Sequence, residues 1–309
     1  MDLSALLAKA GERSPMPFTE VRQPSQHIVA HIDGDYAAYF CSGGDDMEPG
    51  TARSVVIERV RHVKHITGAQ RVVMHLTAGD STKGDRFHVA ESQPYQGQRN
   101  TGRKPRNWQF LREFMEGYTG EHFEPKMWST READDGIAHV CHTVAQHKNI
   151  LHVVHTADKD MRMFAGTHCS WKDYQLTDVP LGTYDLVGKD GKQYGHKWFW
   201  MQMLMGDAAD NIPGLPKVGE VGASKLLLGT RSNADALAAV TGKYRELMGD
   251  RYLRYFAEQA VLLWMRTDRD ANLLNVCTLG CFGPRHVAAF NELATRVAAE
   301  KRKLAALND

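Results

Sequence analysis

Residues 205–219 read Met-Gly-Asp-Ala-Ala-Asp-Asn-Ile-Pro-Gly-Leu-Pro-Lys-Val-Gly. Asp207 and Asp210 are three residues apart, and on a helix this spacing places both carboxylates on one face, where they can serve one metal ion. The Pro- and Gly-rich residues that follow predict a turn, and a short helix is predicted after it. A Gly-rich turn leaves backbone N–H groups free to meet a phosphate. The segment therefore combines a metal-binding pattern with a phosphate-binding pattern.

The bulk composition is that of a globular protein. The chain has 309 residues, of which 42% are hydrophobic and 24% charged, enough for one large domain or two smaller ones. No apolar run approaches the ~20 residues of a membrane span, and residues 1–26 lack a signal-peptide pattern. The five cysteines include no CxxC pair, which indicates reduced thiols. We therefore expect a cytoplasmic protein with no membrane contact.

The formal net charge of +1 hides an uneven distribution. If nine carboxylates line one metal site, 28 of the 37 acidic residues remain against 38 Lys and Arg. The remainder of the protein then carries about +10, which suits a polyanionic ligand around a local acidic cavity. Residues 81–106 are also basic, with six cations and two acids. The charge count of that segment taken alone fits a solvated loop equally well.

Hydrophobic periodicity predicts an α/β fold with a mostly parallel central sheet flanked by helices. Strands are predicted over 27–32, 71–76 and 150–156, and helices over 51–67, 108–118 and 132–147. After residue 196 only helices are predicted: 196–205, 222–228, 234–248, 252–266 and 284–304. We therefore divide the chain into a lead-in (1–26), an α/β domain (27–195) and a C-terminal helical subdomain (196–309). The polar segment from Gly79 to Pro105 is long for a loop within a compact domain, which is typical of a functional segment.

Nine carboxylates fall at predicted strand ends or helix starts. They form five groups: Asp33; Asp80; Glu132, Asp134 and Asp135; Asp158 and Asp160; and Asp207 and Asp210. Because ligands of such sheets bind at the carboxyl ends of the strands, we expect all nine to converge at one edge. Asp35 fits a turn beside Gly34 better than a ligand position.

A cluster of this kind predicts a site for hard divalent cations. Neighbouring carboxylates repel one another and their pKa values rise, whereas a divalent cation relieves the repulsion and prefers oxygen ligands. Each group taken singly also fits a structural role, as a helix cap, a turn or compensation of a helix dipole. No His or Cys pattern competes as a zinc site, since His139 and His142 lack a third ligand.

The motifs together resemble the flap endonuclease / 5′-3′ exonuclease family. Residues 206–219 resemble its helix–three-turn–helix signature, Glu132-Ala133-Asp134-Asp135 its Glu-x-Asp-Asp motif, and Asp158-Lys159-Asp160 its Asp-Lys-Asp motif. The resemblance runs from about residue 28 to 228. It implies a PIN-like (resolvase-like) 5′-nuclease domain, a helix–three-turn–helix at about 206–228, and an arch over about 81–107 through which a single-stranded 5′ end passes.

The resemblance also implies two-metal-ion hydrolysis of phosphodiesters, with two Mg²⁺ or Mn²⁺ ions. The first metal site would be carried by Asp33, Asp80, Glu132 and Asp134. The second would be carried by Asp135, Asp158, Asp160, Asp207 and Asp210. The extra acids of this set resemble the bacterial and phage enzymes, and the length suits a stand-alone enzyme of the kind phages encode, acting in the host cytoplasm in DNA replication or repair.

Within the implied arch, Tyr95-Gln96-Gly97-Gln98-Arg99 lies where the family has Tyr-Lys-x-x-Arg. Arg99 matches the residue that would hold the scissile phosphate, but Gln96 departs from the family lysine. Cations that could substitute for that lysine are Lys83, Arg86, Arg103 and Lys104. Tyr95 could stack on a base or pack within the loop.

The resemblance implies DNA contacts and a K⁺ ion at the helix–three-turn–helix. The residues that would make these contacts are Gly214, Lys217, Val218, Gly219, Gly222, Ser224 and Lys225. Val221 stands where the family has a lysine. Backbone contacts of this type predict a preference for DNA with 5′ ends, flaps or nicks, with little sequence preference and steep salt dependence. An RNA–DNA hybrid is a further candidate substrate, and we expect a monomer.

Two other classes stay open at this stage. A non-catalytic or weakly catalytic DNA-binding homologue is favoured by Gln96, whereas the complete carboxylate set argues against it. A PIN-type ribonuclease would share the sheet and the metal chemistry. The turn over residues 211–219 argues against the ribonuclease.

Overall fold

The computed structural model describes residues 20–145 and 149–308. Most of the predicted lead-in, residues 1–19, lies outside this range. The strands are β1 (Ser25–Asp33), β2 (Ala69–Thr77), β3 (Glu124–Trp128), β4 (Leu151–Thr156), β5 (Gly166–Ser170), β6 (Leu176–Val179), β7 (Leu186–Val187) and β8 (Gln193–Tyr194). The helices are α1 (Gly34–Phe40), α2 (Pro49–Thr67), α3 (Arg86–Val89), α4 (Trp108–Glu116), α5 (Ala133–Ala145), α6 (His196–Met205), α7 (Glu220–Leu226), α8 (Asn233–Met248), α9 (Tyr252–Leu263) and α10 (Pro284–Asn308).

A six-stranded sheet in the order β3-β2-β1-β4-β5-β6 forms the centre of the α/β region. All neighbouring pairs are parallel except β5 and β6. The central strand β1 is buried from Ile28 to Asp33, as expected for a strand covered on both faces. The strand order changes direction between β1 and β4, so their carboxyl ends border the crevice where ligands of such sheets bind. The predicted α/β class is confirmed.

Two apolar cores cover the faces of the sheet. One contains residues of β1 and β2 with the apolar faces of α2 and α4, such as Val60 and Leu111. The other joins Ile137 of α5 to the C-terminal helices around Trp200 and Phe256. This second core holds the helical region against the sheet, and it therefore fixes the position of the segment 205–219 relative to the strand ends.

The C-terminal helices follow the prediction closely. Helix α6 has the predicted bounds of 196–205, and α8 begins one residue before the predicted 234. Within the described residues, all regular elements after β8 are helical. The division into subdomains at residue 195 stays a prediction.

The expectation that Asp207 and Asp210 share a helix face is wrong. Gly206 has φ 73° and ψ −169°, which ends α6. Asp207 and Ile212 then pair through two backbone hydrogen bonds of 2.7 and 2.8 Å. The two carboxylates are nevertheless brought close, because the Asp207 side chain accepts from the Ala209 N–H and closes a tight turn between them.

Candidate active site

A cavity of about 380 Å³ opens beside the carboxyl ends of β1 and β4, and we call it the carboxylate cavity. Its polar and charged lining consists of Asp33, Asp35, Glu132, Asp134, Asp158, Asp210, Gln96, Arg99, Tyr36 and Tyr39. The structure therefore brings together five of the nine predicted carboxylates at one sheet edge. Three of the others, Asp135, Asp160 and Asp207, lie beside these in the acidic groups described below.

Asp33 is the last residue of β1 and caps helix α1. Its Oδ1 accepts from the Tyr36 N–H at 3.0 Å, and its Oδ2 accepts from the Thr156 hydroxyl at 2.9 Å. Burial, and next the charge of Asp35, raise the pKa of Asp33 to about 7. A carboxylate with so high a pKa is short of compensating positive charge.

Glu132, Asp134 and Asp135 form one acidic group at the start of α5, with ligand oxygens within 4.8 Å of one another. Burial, and next the charge of Asp135, raise the pKa of Asp134 well above its usual value. Asp135 differs, because it accepts from Arg86 at 2.6 and 2.8 Å and from the backbone N–H of Arg266 at 2.8 Å. Burial alone would raise the pKa of Asp135, but the Arg86 guanidinium outweighs it and the pKa is lowered.

The assignment of Asp135 to the second metal site is thereby corrected. It belongs to the Glu132 group, and its charge is already neutralised by Arg86. Arg86 is likewise corrected as a catalytic candidate, since it is only 4% exposed and its guanidinium is held by Asp135. The sequence could not indicate this pair because its members are 49 residues apart.

Asp160, Asp207 and Asp210 form the second acidic group, again with oxygens within 4.8 Å of one another. Burial, and next the charges of Asp158 and Asp207, raise the pKa of Asp160 well above its usual value. Lys159 lies against this group, with its Nζ 2.5 Å from Asp207 Oδ2. Gln202 of α6 donates to Asp160 at 2.6 Å.

These two groups fit divalent cations. Their donors are all carboxylate oxygens, the ligand type that hard cations prefer. The raised pKa values of Asp134, Asp158 and Asp160 follow first from burial and then from neighbouring acids, so the local charge is uncompensated. A bound cation would remove that cost.

The structure does not bring Asp80 into the carboxylate cavity. Asp80 is exposed on the turn after β2, where the Ala78 N–H donates to the Trp128 carbonyl and directs the chain toward β3. Asp35, for which the sequence favours a turn role over a ligand position, lines the cavity. It accepts from the Thr77 N–H at 3.2 Å and from the side chains of Thr77 and Arg112.

The segment from Pro94 to Arg99 closes one side of the cavity. Tyr95 is 4% exposed; its hydroxyl donates to Glu132 Oε2 at 2.6 Å, and Asp210 Oδ2 lies 3.0 Å from the same hydroxyl oxygen. Gln96 is 6% exposed and its amide donates to the same two carboxylates, at 3.0 Å each. In this conformation Tyr95 packs within the segment rather than offering its ring to a base, and Gln96 is turned inward to carboxylates rather than outward to DNA.

Two cations lie at the rim formed by this segment. Arg99 is half exposed and donates to Asp210 Oδ1 at 2.6 Å. Lys83 Nζ lies 2.7 Å from Gln96 Oε1 and 3.5 Å from Glu132 Oε1. The remaining candidates lie on the exposed surface outside the cavity lining: Arg103 pairs with Asp45 at 3.4 Å, and Lys104 sits 3.5 Å from the Trp108 ring centroid.

The predicted DNA-contact residues after α6 separate into two sets. Gly214 is buried, its N–H donates to Gln259 at 3.0 Å and its carbonyl accepts from Tyr255 at 2.7 Å, so its assignment as a DNA contact is wrong. Its role is packing, since a Cβ there would meet the Gly206 nitrogen at 2.2 Å. Val218 is half-buried and packs on the helical core. The exposed members are Lys217, Gly219, Gly222, Ser224 and Lys225.

Sequence reasoning missed Lys159, Gln202 and Asp35 as parts of the site. The sequence did contain an indication for Lys159, because it stands between the two acids of the Asp158-Lys159-Asp160 motif.

The part of the chain that the structure describes contains no helix long and apolar enough to cross a membrane.

Comparisons with known proteins agree with this architecture. No family model matches the chain. DNA polymerase I of Bacillus subtilis (strain 168) is 30% identical over 158 residues, which are 50% of this chain and 17% of the polymerase. DNA polymerase I of Bacillus caldotenax is 27% identical over 241 residues, 75% of this chain and 26% of the polymerase. The chain thus spans about a quarter or less of these curated relatives.

Two solved structures from bacteriophage T5 share the fold over nearly their whole length. One is a flap endonuclease in a complex with DNA and metal ions, with TM-score 0.53 and 12% identity. The other is a 5′-exonuclease with bound zinc, also with TM-score 0.53 and 12% identity. Each alignment covers 88% of this chain and 98% of the T5 chain.

Proposed function

Because this chain has the fold of the flap endonuclease / 5′-3′ exonuclease family, we propose that it is a metal-dependent 5′ nuclease that hydrolyses DNA phosphodiesters. The observation that carries the proposal is the convergence of Asp33, Glu132, Asp134, Asp158 and Asp210 on one cavity with Arg99 at its rim. The T5 relatives, one a flap endonuclease with DNA and metal ions and one a zinc-bound 5′-exonuclease, support the same reaction class.

Two Mg²⁺ or Mn²⁺ ions are the proposed cofactors. Asp33, Glu132, Asp134 and Asp158 would hold one, and Asp158, Asp160, Asp207 and Asp210 the other. When bound, such ions activate water and stabilise the charge of a phosphodiester under attack. Asp135 contributes by holding Arg86 and the start of α5 in place rather than as a ligand.

Arg99 and Lys83 are the proposed phosphate-binding cations. Arg99 reaches the cavity from the exposed side. Gln96 holds Lys83 at the rim, because the amide N–H groups face Glu132 and Asp210 and leave only the carbonyl to accept from the Lys83 ammonium. Lys83 therefore supplies a positive charge near the position where the family motif carries lysine.

DNA would be gripped through the exposed surface beside α7. Lys217, Gly219, Gly222, Ser224 and Lys225 are exposed there and suit contacts to phosphates, with a K⁺ ion bound in the turn. The substrates would be duplexes with 5′ ends, flaps or nicks, and RNA–DNA hybrids of the primer type. The protein would act as a monomer in the cytoplasm.

A cleavage assay on 5′-labelled flap, nicked and blunt duplexes and on single-stranded RNA, with and without Mg²⁺ or Mn²⁺, tests the proposal. We expect cleavage only with the metal, and a loss of at least 10²-fold in Asp158→Asn. Asp250→Asn, an exposed acid in a different part of the chain, is the control and should cut at the wild-type rate. Salt-dependent DNA binding without any cleavage would favour the non-catalytic homologue, and cleavage confined to single-stranded RNA would favour a PIN-type ribonuclease.

A further inference from the structure

A second cavity, of about 450 Å³, adjoins the carboxylate cavity, with which it shares Tyr36 and Asp158. We call it the arginine cavity, and it is defined by Arg59, Arg162, Lys172, Tyr36, Phe40 and Trp171. A third cavity of about 600 Å³ shares Arg162 and Lys192 with it and reaches Ser224 and Lys225 of α7. The three cavities are thus neighbours, joined by shared lining residues from the carboxylates to α7.

The cations of the arginine cavity are in excess over its acids. Asp190 is paired with Lys192 at 3.0 Å. Arg162 makes no ion pair within residues 20–145 and 149–308, and its guanidinium lies 4.2 Å from the centroid of the Trp198 ring. An arginine held against a ring, without a carboxylate partner, is already ordered to receive a phosphate. Lys172 is exposed at the mouth of the same cavity.

Aromatic rings form the other side. Phe40 is 50% exposed and Tyr36 is 36% exposed, although both pack against Trp171 with centroid distances of 5.5 and 4.8 Å. The Arg59 guanidinium lies 4.7 Å from the Phe40 centroid and donates to the Trp171 carbonyl at 3.0 Å. Exposed rings that are fixed in this way offer a stacking surface for a base, and stacking tolerates any sequence.

We propose that the arginine cavity binds one nucleotide of the DNA strand that passes through the carboxylate cavity. Its phosphate contacts Arg162 and Lys172, and its base lies against Phe40 and Tyr36. The volume is within the ~300–1,000 Å³ of small-ligand sites. The inference rests on the proposed nuclease function, because it takes DNA as the occupant of the carboxylate cavity.

The test measures binding without cleavage, by fluorescence anisotropy in Ca²⁺, on two series of duplexes with single-stranded 5′ or 3′ extensions of none to about six nucleotides. We expect Arg162→Gln and Lys172→Gln each to lower the affinity for DNA on the order of tenfold and to reduce the slope of log affinity against log salt by ~0.7–0.9. These losses should appear once the extension in one of the two series is long enough to fill the arginine cavity. Arg61→Gln, on the exposed side of α2, is the control and should leave both quantities unchanged. Equal penalties at every extension length in both series would overturn the proposal.

An abasic nucleotide moved along the extension locates the base. At one position it should weaken binding by the wild type several-fold and leave binding by Phe40→Leu unchanged. Losses that are the same in both proteins at every position would overturn the base contact. If no duplex is cleaved but the variants still lose affinity as described, the nuclease proposal fails and the nucleotide site stands. If duplexes are cleaved but the variants lose no affinity, the nuclease proposal stands and the nucleotide site fails.

Discussion

Arg86 donates two parallel hydrogen bonds to Asp135, at 2.6 and 2.8 Å, in a region where the Asp135 side chain is completely buried. The same carboxylate accepts from the Arg266 N–H, so three segments of the chain meet at it. We expect Asp135→Ala to lower the free energy of unfolding by about 3–5 kcal/mol, because it leaves the Arg86 charge buried and unpaired. Urea unfolding measures this.

The matched control is Glu124→Gln. It removes a surface ion pair in which Arg71 Nη2 lies 2.6 Å from Glu124 Oε2. It should cost no more than about 1 kcal/mol. If Asp135→Asn instead unfolds like the wild type but loses a bound metal ion, Asp135 is a ligand and our correction is wrong.

Lys83 is expected to assist cleavage through its charge. Lys83→Met should lower kcat on the order of 10²-fold, the usual effect of removing one charge-stabilising group. Gln96→Lys in the Lys83→Met background should restore most of the loss, because it returns an ammonium to the side chain that lies between Glu132 and Asp210.

Single-turnover cleavage rates distinguish this role from simple DNA attraction. Lys104→Met, which removes an exposed lysine beside Trp108, should change binding more than the rate. A Lys83→Met enzyme with wild-type rates would show that Lys83 only holds Gln96.

A chain of buried histidines predicts loss of stability in acid. Trp128 Nε1 donates to His75 Nδ1, which leaves the His75 Nε2 proton to donate to His31 Nδ1 at 2.9 Å, and His31 Nε2 lies 2.7 Å from His152 Nδ1. Burial is the main cause that lowers the pKa of His75 to about 3 and that of His152 to about 4. The unfolded chain, with ordinary histidine pKa values of about 6.5, therefore binds more protons below that pH.

The contribution that the neutral, buried histidines make to the free energy of unfolding is thus constant above pH ~6.5, and it is lost as the pH falls toward 4. We expect about 2 kcal/mol per buried histidine to be lost between pH 7 and pH 5. Urea unfolding at the two pH values measures it, and His152→Gln should reduce the difference. Equal stability at pH 5 and pH 7 would contradict neutral burial of these rings.

Gly206 and Gly214 are expected to be required for stability rather than for DNA contact. Gly214 has φ +62°, and a Cβ would meet the Gly206 nitrogen at 2.2 Å. Gly214→Ala should cost at least ~2 kcal/mol from backbone strain and overpacking. At Gly219 an added methyl group would meet open space, so Gly219→Ala should keep the stability of the wild type. We expect this variant to weaken DNA binding instead. Thermal unfolding and anisotropy separate the two effects.

The sequence predicted those parts of the fold in which local pattern and tertiary structure agree. Helix α6 was predicted to the residue, because a Gly residue bounds it at each end. Strand β3 was missed because it is an edge strand of five residues that contains Pro125 and Lys126, both typical of sheet edges.

The site was predictable at strand ends and less so elsewhere. Asp33 and Asp158 follow buried apolar strands, so their placement came from periodicity alone. The inward orientation of Gln96 and the neutralisation of Asp135 depend on partners 36 to 131 residues away, which no local pattern indicates.

Where the 94–99 segment closes the carboxylate cavity, its side chains occupy carboxylate oxygens that a divalent cation would bind. Tyr95, Gln96 and Arg99 donate to oxygens of Glu132 and Asp210 that a divalent ion would also use. Every oxygen taken by the ion releases a tether of the 94–99 segment, and by linkage a segment that swings away raises the affinity for the ion by the same factor. Binding of a divalent ion and opening of the 94–99 segment would therefore be coupled equilibria, each favouring the other.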